Sequence, residues 1–183
     1  MNSLLAPLGF QREGKDWNRR TDEFLDCVNL QTSQFAGATG NMCTMDLVSE
    51  RLLAEALGAD TPRMNYHAIA RIGSLIDGID IWWRKDPDGP TEMVERVKTY
   101  GLPFLDNMHS LEFQAQRFGR GSTEGKIHAP SALKLAVTLY RMGERDEACR
   151  FLARPPDNYT DPFWREQLIK MRRWLGCPEA QAQ

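Results

Sequence analysis

The sequence has few of the residues that build metal sites and disulfide frameworks. It contains four cysteines and three histidines in 183 residues, with no C-x-x-C pair and long intervals between the histidines. Zinc sites usually show close ligand spacing. Cys27, Cys43 and Cys149 lie in apolar or amphipathic segments, where thiols commonly act as small buried hydrophobes. We therefore predict no metal site, no cofactor and a reducing compartment.

Long apolar runs are also missing. Pro7 and Gly9 interrupt the apolar start of the chain, and no later run approaches the length that spans a bilayer. No basic segment followed by an apolar one marks a secretory signal. We expect a cytoplasmic protein that does not contact a membrane.

Charge of one sign is not in excess. The chain has 23 basic and 25 acidic residues, a net charge of -2, and no long run of either sign. Duplex-binding proteins draw much of their affinity from neutralised phosphates, so nucleic acid is not the expected partner. One local alternative stays open, in which Trp17 stacks on bases and four basic residues of the first hairpin contact phosphates. Those residues are Arg12, Lys15, Arg19 and Arg20.

No motif for nucleophilic catalysis is present. Ser33, Ser74 and Cys27 are candidate nucleophiles, but none lies in a nucleophile elbow and no base can be assigned to any of them. The sequence therefore predicts no catalytic residue.

The first half of the chain has the alternating pattern of strands, and the second half has helical spacing. Extended segments are predicted at 11–13, 17–20, 23–31, 41–48, 66–75 and 79–84, with a flexible connection at 34–40 and a tight turn at Asp77-Gly78. In the segment 41–48, alternation predicts Cys43, Met45 and Leu47 inward. It predicts the other side outward: Met42, Thr44, Asp46 and Val48.

Helices are predicted at 2–8, 49–57, 91–100, 104–118, 131–142, 145–152 and 163–175, with a break at 101–103. The fold class is α+β, an antiparallel sheet of about five strands packed by helices, with a C-terminal helical hairpin plus a final helix. We expect residues 1–118 to form the α+β domain and residues 129–177 a helical extension packed on the same core.

Short motifs in a fixed order resemble a known family. The chain opens with Leu5, Gly9 and Phe10, continues with Trp17 and Arg19, and then carries Val-Asn-Leu-Gln-Thr-Ser at 28–33. Arg-Ile-Gly follows at 71–73, and Asp-Ile-Trp-Trp at 80–83. Over roughly residues 4 to 115 this order is similar to the bacterial family named domain of unknown function 4304. The resemblance implies a small mixed α/β domain with no assigned activity and no catalytic residues.

Polar and aromatic side chains on the predicted strands give the main functional hypothesis. Trp and Arg concentrate binding energy at protein interfaces, and Asn and Gln both donate and accept hydrogen bonds. We therefore predict a protein- or peptide-binding sheet face. Its residues are Trp17, Arg19, Asn29, Gln31, Arg71, Asp80 and Trp82. In the more conservative interpretation, Arg71 is the ion-pair partner of Asp80, and either Trp82 or Trp83 points inward.

Two functions stay open at this point. The preferred one is a non-enzymatic binding protein with a protein partner, of which an immunity or antitoxin-like protein is one concrete form. The alternative is a small hydrolase or transferase with an acid/base pocket between sheet and helices. It would draw its acid and base from Asp26, Asp46, Asp80 or His67, and it requires at least two of them to converge.

Overall fold

The computed structural model describes residues 1–34, 37–58, 68–84, 86–121, 127–153 and 160–178. They group into two compact units, the first within Met1–Leu47 and Asn65–His109, the second within Val48–Met64 and Ser110–Gln183. His67 and positions 35, 36 and 66 of the predicted elements lie outside the described residues. The division into 1–118 and 129–177 stays a prediction.

The first unit contains one five-stranded antiparallel sheet with the strands in chain order. The strands are β1 (Gln11–Glu13), β2 (Asp16–Arg20), β3 (Phe24–Ser33), β4 (Gly37–Asp46) and β5 (Ala68–Arg71). Helices accompany the sheet, so the predicted α+β class is confirmed.

Local chemistry forms the turns before β1, β2 and β3, and these turns fall between the predicted segments 2–8, 11–13, 17–20 and 23–31. Helix α1 (Asn2–Leu5) and a 3-10 turn (Ala6–Leu8) end at Gly9, which has a left-handed backbone conformation. Gly14 has φ +63° and joins β1 to β2. Between β2 and β3, the Thr21 hydroxyl accepts a hydrogen bond from the Phe24 amide at 3.0 Å.

The strand register assigns each side chain to one of two faces. On what we call the helix-covered face, Trp17 pairs with Val28 and Val28 with Met42, and all three are buried. Helices α3 (Ile72–Ile76), α4 (Gly89–Arg96) and α5 (Leu102–Asn107) pack against β4. On the opposite face, which we call the polar face, Asp16 pairs with Asn29. Asn29 pairs in turn with Asn41, and Asn41 with Arg71.

Two predictions for β4 are wrong. The strand begins at Gly37, so 37–40 is not part of a flexible connection. Met42, Thr44 and Asp46 were expected outward but are 0–1 % exposed. Thr44 enters the core because its hydroxyl donates a hydrogen bond to the buried carboxylate of Asp26, a partner that alternation of hydrophobicity cannot reveal.

The described part of the next predicted extended segments, 68–84, does not form a hairpin. Within that range the strand is Ala68–Arg71, and the chain then forms helix α3 (Ile72–Ile76). Residues 79–84 contribute one bridge, in which Ala38 and Trp83 exchange two backbone hydrogen bonds of 2.8 Å. A side chain at Gly73 would collide with the backbone of Ile79 and Ile81, so this glycine serves a close helix-to-chain contact rather than a strand.

The remaining helices of the first unit run almost without interruption. They are α4 (Gly89–Arg96), a π-helical turn (Val97–Gly101) and α5 (Leu102–Asn107). The predicted break at 101–103 is therefore wrong. A Cβ atom at Gly101 would lie 2.6 Å from the sulfur of Met42, so the glycine lets the π-helical turn approach β4.

The second unit is helical, with elements α2 (Leu47–Leu57), α6 (Leu111–Arg117), α7 (Ala129–Arg141), α8 (Arg145–Ala153) and α9 (Pro162–Leu175). Because Ser110 caps α6, the predicted single helix at 104–118 is two helices. Helices α7 and α8 form the predicted hairpin, and Trp174 of α9 packs on Tyr140 of α7 with ring centroids 4.8 Å apart.

A disulfide corrects the reading of Cys149 as a buried thiol. Gly176 ends α9 in a left-handed conformation, and the chain turns so that Cys177 bonds to Cys149. Arg145 reinforces this junction by donating hydrogen bonds to the carbonyl oxygens of Leu175 and Gly176. The two cysteines are 28 positions apart, so spacing gave no sign of the pair. The inference of a reducing compartment loses this part of its support.

None of the helices in the described ranges combines the length and the apolar character needed to cross a membrane.

Replacement of Gly37 by alanine tests the contact between β4 and Trp83. The backbone at Gly37 has φ +105°, and an added Cβ would lie 2.1 Å from the Trp83 carbonyl oxygen. We expect Gly37→Ala to lower the free energy of unfolding by about 3 kcal/mol, measured by urea unfolding followed by circular dichroism.

Gly14→Ala is the matched control, because Gly14 also has positive φ but nothing lies within 4 Å of its added Cβ. It should cost only about 1 kcal/mol, the backbone part of the effect. Equal losses in the two variants would show that the contact with Trp83 is unimportant.

Candidate functional site

The helix-covered face holds a buried carboxylate with three partners, which we call the Asp26 cluster: Asp26, Arg19, Thr44 and His109. Asp26 is fully buried on β3. Its Oδ2 atom accepts hydrogen bonds from Arg19 Nε at 3.0 Å and Nη2 at 2.8 Å, and its Oδ1 atom accepts one from the Thr44 hydroxyl at 2.8 Å. Nε2 of His109 lies 3.1 Å from both carboxylate oxygens. The cluster therefore joins β2, β3 and β4 to the chain that follows α5.

Arg19 is held from two sides. Its Nη2 atom also donates to Asp106 of α5 at 2.8 Å, and its guanidinium lies over the ring of Phe10, 4.8 Å from the centroid. Burial on its own would lower the pKa of Arg19, but the hydrogen bonds with Asp106 and Asp26 and their charges outweigh it and raise that pKa. The guanidinium stays charged, and its Nε and Nη2 atoms are bound by the two carboxylates.

His109 is held between Asp26 and Phe24. Its Nε2 atom is within hydrogen-bond distance of both carboxylate oxygens of Asp26, which accept a hydrogen bond when that nitrogen carries the proton. The ring stacks on Phe24, with centroids 4.0 Å apart and an angle of 12° between the planes. Such an arrangement satisfies a buried charge and locks the end of the helical layer onto the sheet.

The acid/base alternative required convergence of two groups among Asp26, Asp46, Asp80 and His67. Asp26 and Asp46 both lie on the helix-covered face, but Asp80 bonds to Arg71 on the polar face. The sheet thus separates Asp80 from the other two carboxylates, and His67 lies outside the described residues. The histidine that does contact Asp26 is His109, and the long intervals between the histidines gave no sign of it.

A row of four polar side chains from three neighbouring strands crosses the polar face. Asn29 Nδ2 donates to a carboxylate oxygen of Asp16, and Asn41 Nδ2 donates to Asn29 Oδ1 at 3.1 Å. Asn41 Nδ2 also lies 3.5 Å from Gln31 Oε1. We call Asp16, Asn29, Asn41 and Gln31 the amide row. Gln31 is exposed and the other three are half-buried, so the row is reachable from solvent.

A second group continues the amide row at β5. Arg71, the register partner of Asn41, forms an ion pair with Asp80, and Trp82 Nε1 donates to Asp80 Oδ2 at 3.1 Å. The Arg71 guanidinium lies 5.8 Å from the centroid of the Trp82 ring. We call Arg71, Asp80 and Trp82 the tryptophan corner. Trp83 is buried, as alternation predicted for one of the two tryptophans.

Five of the seven predicted binding residues therefore come together on the polar face: Asn29, Gln31, Arg71, Asp80 and Trp82. Trp17 and Arg19 do not join them, because the register places both on the helix-covered face. Trp17 is 3 % exposed and donates to Asn2 Oδ1 at 3.3 Å, which makes it a core residue. The alternation of side chains along β2 could have revealed this separation. Trp17 and Arg19 alternate with Asp16 and Asn18, so the two pairs point to opposite faces.

Cys43 of the sheet is not activated for nucleophilic chemistry. Cys27 and Cys43 are register partners, both buried and both unbridged. Burial, followed by the nearby Cys27 and Asp16, raises the pKa of Cys43 to about 12. Since the thiolate is the reactive form, Cys43 is inert at neutral pH. Across the described part of the chain, no group of three or more His, Cys, Asp or Glu side chains could hold a metal ion.

The Asp26 cluster gives a test of stability. We expect Asp26→Asn to lower the free energy of unfolding by about 3 kcal/mol in urea, because it leaves the guanidinium of Arg19 without its buried counter-charge. Asp106→Asn removes the other carboxylate on Arg19, which is 63 % exposed, and should cost less than about 1 kcal/mol. A loss below about 1 kcal/mol for Asp26→Asn would contradict this account.

Comparison with known proteins places the chain in a family. The model of a domain of unknown function (DUF4304) matches residues 1–107. No curated protein and no solved structure matches the chain. The match includes the whole sheet, the tryptophan corner and α5. It covers more than half of the 183 residues, and the chain belongs to the DUF4304 family.

Proposed function

We propose that this chain is a non-enzymatic protein-binding module whose interface consists of the amide row and the tryptophan corner. The observation that carries the proposal is the alignment of Asp16, Asn29, Asn41 and Arg71 as consecutive register partners across four strands. Such an alignment presents hydrogen-bonding groups at the regular spacing of strands, with little freedom left to lose on binding.

The amide row has hydrogen-bonding capacity to spare. Asn41 uses its amide nitrogen on Asn29 and Gln31, while its side-chain oxygen accepts no hydrogen bond from any described residue. The amide nitrogen of Gln31 likewise makes none within the described ranges. An acceptor and a donor are therefore held in position on an accessible face, where a partner can replace water.

The tryptophan corner adds the side chains that concentrate binding energy. Trp82 is half-buried and Arg71 is about 40 % exposed, and both are held by Asp80. Two large apolar side chains accompany them: Ile69 on β5 is 54 % exposed and Ile79 is 59 % exposed. Trp and Arg dominate interface hot spots, and apolar neighbours exclude water around them.

A protein suits this surface better than a nucleic acid. The row and the corner contain two carboxylates, Asp16 and Asp80, which would repel phosphates. Arg19 is occupied by Asp26 and Asp106, and Trp17 is buried, so neither is available for the hairpin site considered for nucleic acid.

The enzymatic alternative has weaker support. Asp26 and Asp80 lie on opposite faces of the sheet. Arg19 supplies the counter-charge of Asp26, and Thr44 donates a further hydrogen bond to it. The immunity or antitoxin-like role is the form of the binding proposal in which the partner is a toxin.

Affinity capture tests the proposal. The tagged chain is incubated with lysate of its source cells at moderate and at high salt, and the bound proteins are quantified by mass spectrometry. We expect a stoichiometric partner that survives high salt, and Arg71→Ala should reduce its capture at least about tenfold, as for an interface hot spot.

Arg96→Ala is the matched control. Arg96 also forms a surface ion pair, and its side chain is 41 % exposed against 40 % for Arg71, but it lies on α4. The Arg96→Ala variant should capture as much of the partner as the unmodified chain does. A partner retained equally by both variants would refute the interface, and the absence of any partner would refute the binding function.

A further inference from the structure

A cavity of about 630 Å³ opens on the polar face at the edge of the sheet formed by β1. We call it the hairpin cavity. Its lining residues come from the end of the 3-10 turn and from β1, β2 and β3: Gly9, Gln11, Glu13, Asn18, Arg20 and Leu25. The register explains the convergence, because Gln11 pairs with Asn18 and Arg20 pairs with Leu25. The volume lies within the range of small-ligand sites.

Arg20 supplies an uncommitted positive charge to the hairpin cavity. Its guanidinium makes no ion pair or hydrogen bond with any residue that the structure describes, and the residue is exposed. Its neighbour Arg19 points to the other face and is bound by two carboxylates. A planar guanidinium with five free donors matches the two oxygens of a carboxylate or the oxygens of a phosphate.

The negative charge of Glu13 favours a carboxylate ligand over a phosphate. Its carboxylate accepts a hydrogen bond from Asn18 Nδ2 at 3.2 Å, which holds a negative charge in the same cavity. A doubly charged phosphate would be repelled by that charge, whereas a ligand with one carboxylate and neighbouring N–H groups would be bound by both ends. Gln11, which has no described side-chain partner, offers a further acceptor and donor, and Leu25 gives a half-buried apolar contact.

We propose that the hairpin cavity binds the C-terminal end of a short peptide. Arg20 receives the terminal carboxylate, Glu13 and Gln11 accept the backbone N–H groups, and an apolar terminal side chain packs on Leu25. The cavity is large enough for two or three residues. A free amino acid shares the carboxylate and the N–H donor, and the test separates the two sources. The proposal does not depend on the protein partner proposed above.

The test is a titration of the ¹⁵N-labelled full chain followed by amide chemical shifts. The ligand is acetyl-Ala-Ala-Leu with a free carboxylate, used up to millimolar concentrations. We expect the amides of Gln11, Asn18 and Arg20 to shift together. The same peptide with a C-terminal carboxamide should bind at least about tenfold more weakly, because the charge-assisted hydrogen bonds are lost. Leucine alone and inorganic phosphate should also bind more weakly than the peptide.

Two variants localise the effect. Arg20→Ala should weaken binding of the peptide at least about tenfold, with the remaining spectrum unchanged. Arg12→Ala removes the same charge from the same hairpin on the opposite face, where Arg12 donates to the Gly14 carbonyl oxygen, and should leave binding unchanged.

Three results would overturn the proposal. They are the absence of shifts at the cavity, equal binding of the carboxamide peptide, and binding of leucine or phosphate at least as tight as that of the peptide.

Discussion

The buried carboxylate of Asp26 is the constraint on which the first unit depends. A charge in the core is tolerated only when it is paired and hydrogen-bonded. Arg19 of β2 supplies the counter-charge, and Thr44 of β4 and His109, which follows α5, lie within hydrogen-bond distance of the carboxylate. Each donor has to stay within hydrogen-bond distance, so the strands and the helical layer cannot shift independently. The helix-covered face is thereby committed to structure, and the polar groups with spare capacity lie on the polar face.

Much of the sheet could be predicted from local pattern. Glycine at positions 9 and 14 and alternation in β2 and β3 identified the first three strands, and parity placed Asn29 with Gln31 on one face. Helices α7, α8 and α9 followed from their apolar spacing and from Gly143 between α7 and α8. These features depend on residues close in sequence, where local conformational preferences decide.

What could not be predicted depends on partners distant in sequence. Thr44 is polar and was predicted to face outward. It faces inward because its hydroxyl donates a hydrogen bond to the buried Asp26. His109 lies 83 positions after Asp26, and Cys177 lies 28 positions after Cys149. Gly73 was predicted to lie in a strand, but in the structure the chain at Ile79–Ile81 packs closely against it. The pairing of Arg19 with Asp26 was within reach, because it follows from the register of the hairpin formed by β2 and β3.

The most direct test of the central claim is native-state amide hydrogen exchange in the unmodified chain and in Asp26→Asn. If Asp26 couples the sheet to the helical layer, the variant loses protection together in β2, β3, β4 and α5, as one cooperative unit. A loss confined to the amides next to position 26, with α5 protected as before, would contradict the account.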